Sequence, residues 1–209
     1  VEMPIRRWPP YQPSAIYKND GKGNFENISA KTGFVSSNVM GAGYLDWDLD
    51  GDQDVVFGPG GHTLLSLEPV FLYRNNGDDS FTNITPLSEA LYYGKFHGTA
   101  FADMDRDGDP DLYLNNGGVL LSDRFRDLLL ENKSEGKTWV HVGLEGTKSN
   151  RSGIGARVVV HTGDKSFHQE KIAGQGFSST NSPYLIFGLN GATAADKIEI
   201  TWPSGLVQT

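Results

Sequence analysis

One nine-residue pattern occurs twice in this 209-residue chain and limits what the chain can become. Asp46-Trp47-Asp48-Leu49-Asp50-Gly51-Asp52-Gln53-Asp54 and Asp103-Met104-Asp105-Arg106-Asp107-Gly108-Asp109-Pro110-Asp111 both place acids at positions 1, 3, 5, 7 and 9 and glycine at 6. Alternate carboxylates on a tightly curled loop converge on one point, and glycine permits the bend. Five crowded carboxylates without a cation would repel one another and need raised pKa values. An all-oxygen cage suits calcium better than magnesium, which keeps more of its water. The expected cofactor is therefore Ca2+ at two sites. An EF-hand would carry a bidentate Glu at position 12 between helices. Position 12 here is Phe57 or Leu114, inside β-type runs, so EF-hand signalling is excluded. Asp54 or Asp111 is expected to close each shell instead.

The loops belong to a longer repeat. Ile16-Tyr17-Lys18-Asn19-Asp20-Gly21 returns as Leu72-Tyr73-Arg74-Asn75-Asn76-Gly77, and Phe25, Asn27 and Ile28 return as Phe81, Asn83 and Ile84. A third copy opens at Leu129-Leu130-Glu131-Asn132, with no third acidic loop after it. Each copy reads as strand, Asn/Asp-Gly turn, strand, then an acidic loop feeding another strand. Small-residue strands, Gly41 to Leu45 and Gly98 to Ala102, enter the loops; Val55 to Phe57 and Leu112 to Leu114 leave them. A single helix is expected, at Asp123 to Asn132, where Phe125, Leu128 and Leu129 share a face. From about Thr138 the pattern changes to five strands: Trp139 to Leu144, Ala156 to Val160, Ser166 to Ile172, Tyr184 to Phe187 and Ile198 to Trp202.

Composition agrees with an all-β chain. Glycine supplies 26 residues, roughly an eighth of the total against a usual ~7 %, and many tight turns mean many short strands. The net charge of −8 argues against a nucleic-acid or anionic-membrane partner. Ten of the 26 acids lie in the two loops, so two divalent cations would bring −8 to −4. Cysteine is absent, excluding disulfides and thiolate metal sites. No apolar run approaches the ~20 residues that span a bilayer, so membrane insertion is not expected. The opening Val1-Glu2-Met3-Pro4 lacks an apolar signal segment and an initiator Met, which reads as a processed or partial product.

No catalytic site is legible, and the expectation is a protein that is not an enzyme. His62, His97, His141, His161 and His168 share no metal-binding spacing. Gly174-Gln175-Gly176-Phe177-Ser178 lacks the Ser between glycines of a nucleophile elbow, and Gly58-Pro59-Gly60-Gly61 lacks the Lys of a phosphate loop. Sequons at Asn27, Asn83, Asn132 and Asn150 permit glycosylation in a secreted protein.

On these motifs the chain resembles the FG-GAP/VCBS repeats of integrin α-subunit propellers and bacterial secreted proteins. The resemblance implies Asp46, Asp48, Asp50 and Asp54 as calcium ligands with the Asp52 carbonyl, and Asp103, Asp105, Asp107 and Asp111 with the Asp109 carbonyl. Ser149-Asn150-Arg151, Gly153-Ile154-Gly155-Ala156-Arg157-Val158, Phe187-Gly188-Leu189 and Ile200-Thr201-Trp202-Pro203-Ser204-Gly205 resemble the ASPIC/UnbV domain that follows such repeats in cartilage acidic proteins. A propeller closes with 4–8 blades, so two repeats and a partial third imply an incomplete one with open edges.

The expected organisation is an extended arm at 1–13, repeats at 14–136 and a small β-sandwich- or barrel-like domain at 137–209. The arm holds four prolines with Met3, Ile5, Trp8 and Tyr11, and docking on a neighbouring subunit would shelter its apolar side chains. The expected role is a secreted or cell-surface adhesion or scaffold module that self-associates into an oligomer or polymer, with a protein or glycan partner. The alternatives are a structural subunit of an extracellular fibre built by arm or strand exchange, and a carbohydrate-binding module using Trp8, Tyr92, Tyr93 and Trp139.

Overall fold

The computed structural model describes residues 15–34, 39–60, 67–88, 91–117, 125–134 and 136–209. The 1–13 arm with Trp8, and His62, lie outside the described residues. Strand and turn dominate what is described, with one four-residue helix and one 3-10 turn. The all-β expectation holds.

In chain order, β1 (Tyr17–Asn19) and β2 (Phe25–Asn27) form an antiparallel hairpin, followed by helix α1 (Ser29–Thr32). Next come β3 (Val39–Leu45), β4 (Asp54–Pro59), β5 (Glu68–Pro69), β6 (Phe71–Asn75) and β7 (Phe81–Asn83). Strands β3-β4-β6-β7 make one four-stranded antiparallel blade, with the first acidic loop joining β3 to β4. After β8 (Tyr93–Gly94), which pairs with β5, a second blade starts. Its strands are β9 (Phe96–Ala102), β10 (Asp111–Asn116) and β11 (Leu128–Leu130), in the order β11-β10-β9, with the second acidic loop between β9 and β10.

The repeat is therefore structural as well as sequential. Val55 faces Tyr73 in the first blade, and Leu112 faces Leu130 at the same place in the second. The helix expected over Asp123 to Asn132 is not formed: residues 123 and 124 lie outside the described residues, and Leu128–Leu130 is strand. Ladder bonds to β10 outweigh a short helical apolar face, because β10 offers an otherwise unpaired edge. The α1 and Thr85–Leu87 turns, which occupy equivalent repeat positions, were not anticipated.

One apolar cluster unites the blades: Leu45, Val56, Val70, Leu72, Phe96, Phe101, Leu112 and Leu114. Their close approach needs Gly41 in β3, where an added Cβ would lie 2.0 Å from the His97 carbonyl oxygen in β9.

The C-terminal region has β12 (Trp139–Val142), β13 (Arg157–Thr162), β14 (Lys165–Glu170), β15 (Leu185–Gly188), β16 (Lys197–Thr201) and β17 (Val207–Gln208). All five expected strands are present. With β17, which the sequence reading does not include, they form a β12-β15 pair and a β14-β13-β16-β17 sheet. Alternation in β13 turns Val158 and Val160 inward. They meet Val142, Leu185, Phe187 and Leu189 in a second apolar cluster.

Candidate metal centre

Both acidic loops owe their curl to the same two backbone positions. Gly51 and Gly108 at position 6 have φ of 95° and 108°, as the sequence demands. Leu49 and Arg106 at position 4 are also left-handed, at 55° and 69°, a conformation that costs non-glycine residues about 1 kcal/mol. Two left-handed residues two apart wind each loop so that three of its five odd-numbered carboxylates converge, while Asp52 and Asp107 stay exposed and outside those groups.

The carboxylates that meet are Asp46, Asp48 and Asp50 in the first loop and Asp103, Asp105 and Asp111 in the second, each set within 4.8 Å. Asp54 and Asp111 sit at the base as the first residues of β4 and β10. Asp54 accepts hydrogen bonds from the Trp47 N–H at 3.1 Å and the Asn75 N–H at 2.7 Å. Asp111 accepts the equivalent pair, from Met104 at 2.8 Å and Asn132 at 2.9 Å. The same asparagines donate through Nδ2 to the position-8 carbonyls of Gln53 and Pro110. Each loop is thus clasped by an asparagine at the end of β6 (Asn75) or two residues beyond β11 (Asn132) in its own blade. The signal was present in the sequence, since Asn19, Asn75 and Asn132 recur in all three copies, but a turn-forming role masked it.

Burial, with repulsion between neighbouring aspartates, dominates the electrostatics of both loops. Burial pushes the Asp46 carboxyl up to about 7 and Asp54 to about 8. Asp109 is raised to about 6, and Asp48 and Asp52 are raised as well, in each case chiefly by burial. Buried oxygens of Asp48, Asp103 and Asp109 have no hydrogen-bond partner. Unpartnered, buried, all-oxygen donors are the chemistry a hard divalent cation satisfies. The residues fit calcium.

The C-terminal region packs directly against both loops, a feature absent from any sequence signal. The Gly188 N–H of β15 points at Asp46 Oδ2 at 3.3 Å. The Phe167 ring of β14 lies over Gly51, and the Trp139 indole of β12 lies over Gly108. His141 Nε2 is 3.7 Å from Asp103 Oδ2.

The remaining expected positions scatter. Tyr92, Tyr93 and Trp139 are exposed. The sequon amide of Asn132 is committed to the Trp47 and Pro110 carbonyls, and that of Asn150 to Ile154. Asn27 and Asn83 use their carbonyls to cap the Ser29 and Thr85 N–H groups. His97 is buried in β9 and His161 pairs with Ser166.

Comparison with known proteins agrees with this architecture. Residues 46–114 match the FG-GAP-like repeat, and residues 146–209 match ASPIC and UnbV. The two matches lie one after the other along the chain, each over about a third of it. It is similar to cartilage acidic protein 1 of mouse and human, 27 % identical over 188 residues, 88 % of this chain and 28 % of each relative. The Xenopus tropicalis protein of that name is 27 % identical over 195 residues, 91 % of the chain and 29 % of the relative. The chain thus spans under a third of the length of these relatives. The matched families and the relatives' names are non-enzymatic in kind. Among the described residues no helix is long and apolar enough to cross a membrane.

Proposed function

We propose that this FG-GAP-like and ASPIC/UnbV chain is a non-catalytic extracellular adhesion or scaffold module whose shape is held by two calcium ions. The observation that carries the reading is the placement of both convergent carboxylate clusters against the C-terminal region. Asp46, Asp48, Asp50 and Asp54 would hold one ion with the Asp52 carbonyl. Asp103, Asp105, Asp107 and Asp111 would hold the other with the Asp109 carbonyl. Each ion supplies positive charge to buried carboxylates and so stabilises the fold that gathers them. Extracellular calcium modules bind at roughly 0.1–1 mM, a level met outside cells. The similarity to cartilage acidic protein 1 supports the extracellular setting. Two separate apolar clusters support a division near residue 137.

Self-association is the second reading, favoured by the outer edge of β11, where Leu129 is 55 % exposed and no further strand pairs among the described residues. Calorimetric titration should give two calcium ions per chain. Asp54→Asn and Asp111→Asn should each remove one ion while leaving the other. Retention of both ions in both variants would refute the ligand assignment. Light scattering across a concentration series tests self-association, and a constant monomer mass rejects it.

A further inference from the structure

The β1–β2 hairpin reproduces the outer half of a blade, with no inner half beside it among the described residues. Its bonds copy those of β6–β7 one for one. Ile28 N–H donates to the Ile16 carbonyl as Ile84 does to Leu72, and Asp20 donates to Asn24 as Asn76 does to Ser80. The Ile16 N–H donates to Ser29 Oγ as Leu72 does to Thr85 Oγ1. The turn repeats too, Gly21 N–H to Asn19 Oδ1 matching Gly77 N–H to Asn75 Oδ1. In the complete blade, β6 is flanked on its other side by β4 and the acidic loop. At β1 that side carries no strand among the described residues.

The consequences lie on the surface. Bonded pairs at Ile16/Ile28 and Asp20/Asn24 make Tyr17/Asn27 and Asn19/Phe25 the non-bonded pairs of the ladder. The N–H and C=O groups of Tyr17 and Asn19 therefore point off the open edge. Tyr17 is 56 % exposed, whereas its counterpart Tyr73 is 1 % exposed, under the β3–β4 side of its blade and against the rings of Phe34 and Phe57. Asn19 occupies the position from which Asn75 and Asn132 clasp an acidic loop, through main-chain N–H and Nδ2 alike. In both cases the clasped aspartate stands 21 residues earlier. The hairpin is nonetheless held ready: Lys18 and Lys31 both pair with Asp79 of the adjacent β6–β7 turn, at 2.6 and 3.2 Å.

We propose that the open β1 edge is the seat for one further strand–loop–strand unit, two antiparallel strands joined by a calcium-loaded Asp-x-Asp-x-Asp-Gly-x-x-Asp loop. One strand of that unit would add to β1. Its position-9 carboxylate would accept the Asn19 N–H, and its position-8 carbonyl would accept from Asn19 Nδ2. Tyr17 would become buried, as Tyr73 is. A second copy of this chain has no such unit to spare, since β6 and β11 already occupy its two. The proposal rests on the calcium reading only for its metal dependence.

The test uses the full chain and, as probe, a synthetic peptide of residues 39–59, which carries the first strand–loop–strand unit. Hydrogen exchange read by mass spectrometry should show the Tyr17 and Asn19 amides unprotected in the dilute chain, and protected when peptide and calcium are added. Chelator should abolish the protection. Tyr17→Lys and Asn19→Ala, both at exposed positions, should weaken peptide binding about tenfold or more. As a guard against a peptide that does not fold, the same unit can be joined ahead of the full chain by a Gly/Ser linker. That raises its local concentration to the millimolar range. Protection already present in the dilute chain would mean residues of its own cover the edge. Protection growing with chain concentration alone would mean a second copy does. Either result overturns the proposal, as does a joined unit that leaves both amides unprotected. A chain that loses thermal stability in chelator while its β1 edge never accepts the unit refutes this inference alone and leaves the calcium reading standing.

Discussion

Asp46 and Asp54 are carboxylates that burial holds partly protonated near neutral pH when no cation faces them. The sign of the consequence follows. Their unfolded value is near 3.8 and their folded values are about 7 and about 8. Between about pH 4 and about pH 8 the folded, metal-free chain therefore binds protons that the unfolded chain has released, and stability falls as pH rises. In chelator, the melting temperature should drop steadily across that window. Saturating calcium should flatten the profile, because the ion offsets the charge. Asp54→Asn in chelator should flatten it in part, since the amide carries no charge to bury. A chelated wild-type protein that grows more stable from pH 5 to pH 8, measured by circular dichroism, contradicts this account.

At the scale of elements, the loops work because strands of two different origins close on them. The clasping asparagines come from the end of β6 and from just beyond β11, within the repeat, whereas Gly188 comes from β15 on the far side of the contact. A Cβ at Gly188 would lie 2.3 Å from the Leu49 carbonyl carbon, and the atoms it meets are backbone. Neither segment can yield without moving a strand, so Gly188→Ala should destabilise the protein by ~1–3 kcal/mol. Gly98→Ala meets its neighbours no closer than 3.4 Å and should be near neutral. Urea titration of the two variants checks the contrast. Equal stability would mean that β15 does not bear on the loop.

For the whole molecule, the two apolar clusters are joined through the acidic loops and through the segment from Gln175 to Ser182, where Gln175 Nε2 donates to the Tyr44 carbonyl and the Ser182 N–H donates to the Phe101 carbonyl. Loaded loops should make the chain melt as one unit. In excess chelator, mutual carboxylate repulsion loosens the surface on which β12, β14 and β15 rest. Differential scanning calorimetry should then resolve two transitions, and a single cooperative transition in both states would show that the regions are coupled by something other than the loops.

Much of this was legible in residues alone. Alternating acids around Gly51 and Gly108 specify a curled loop wherever they occur, because backbone geometry and charge repulsion are local. The return of Ile16 to Gly21 as Leu72 to Gly77, and of Asp46 to Asp54 as Asp103 to Asp111, likewise announced equivalent strands, since like segments seek like partners. The helix expected at Asp123 to Asn132 failed for the opposite reason: Leu128 to Leu130 took the edge of β10, a partner distant in sequence that no local periodicity reveals. The loop-clasping role of Asn75 and Asn132, the cover of Phe167, Trp139 and Gly188, and the pairing of β1 with β2 alone among the described strands were decided by tertiary structure only. Local pattern determines which bonds a segment can make. Which of them it does make depends on what packing brings within about 3 Å of it.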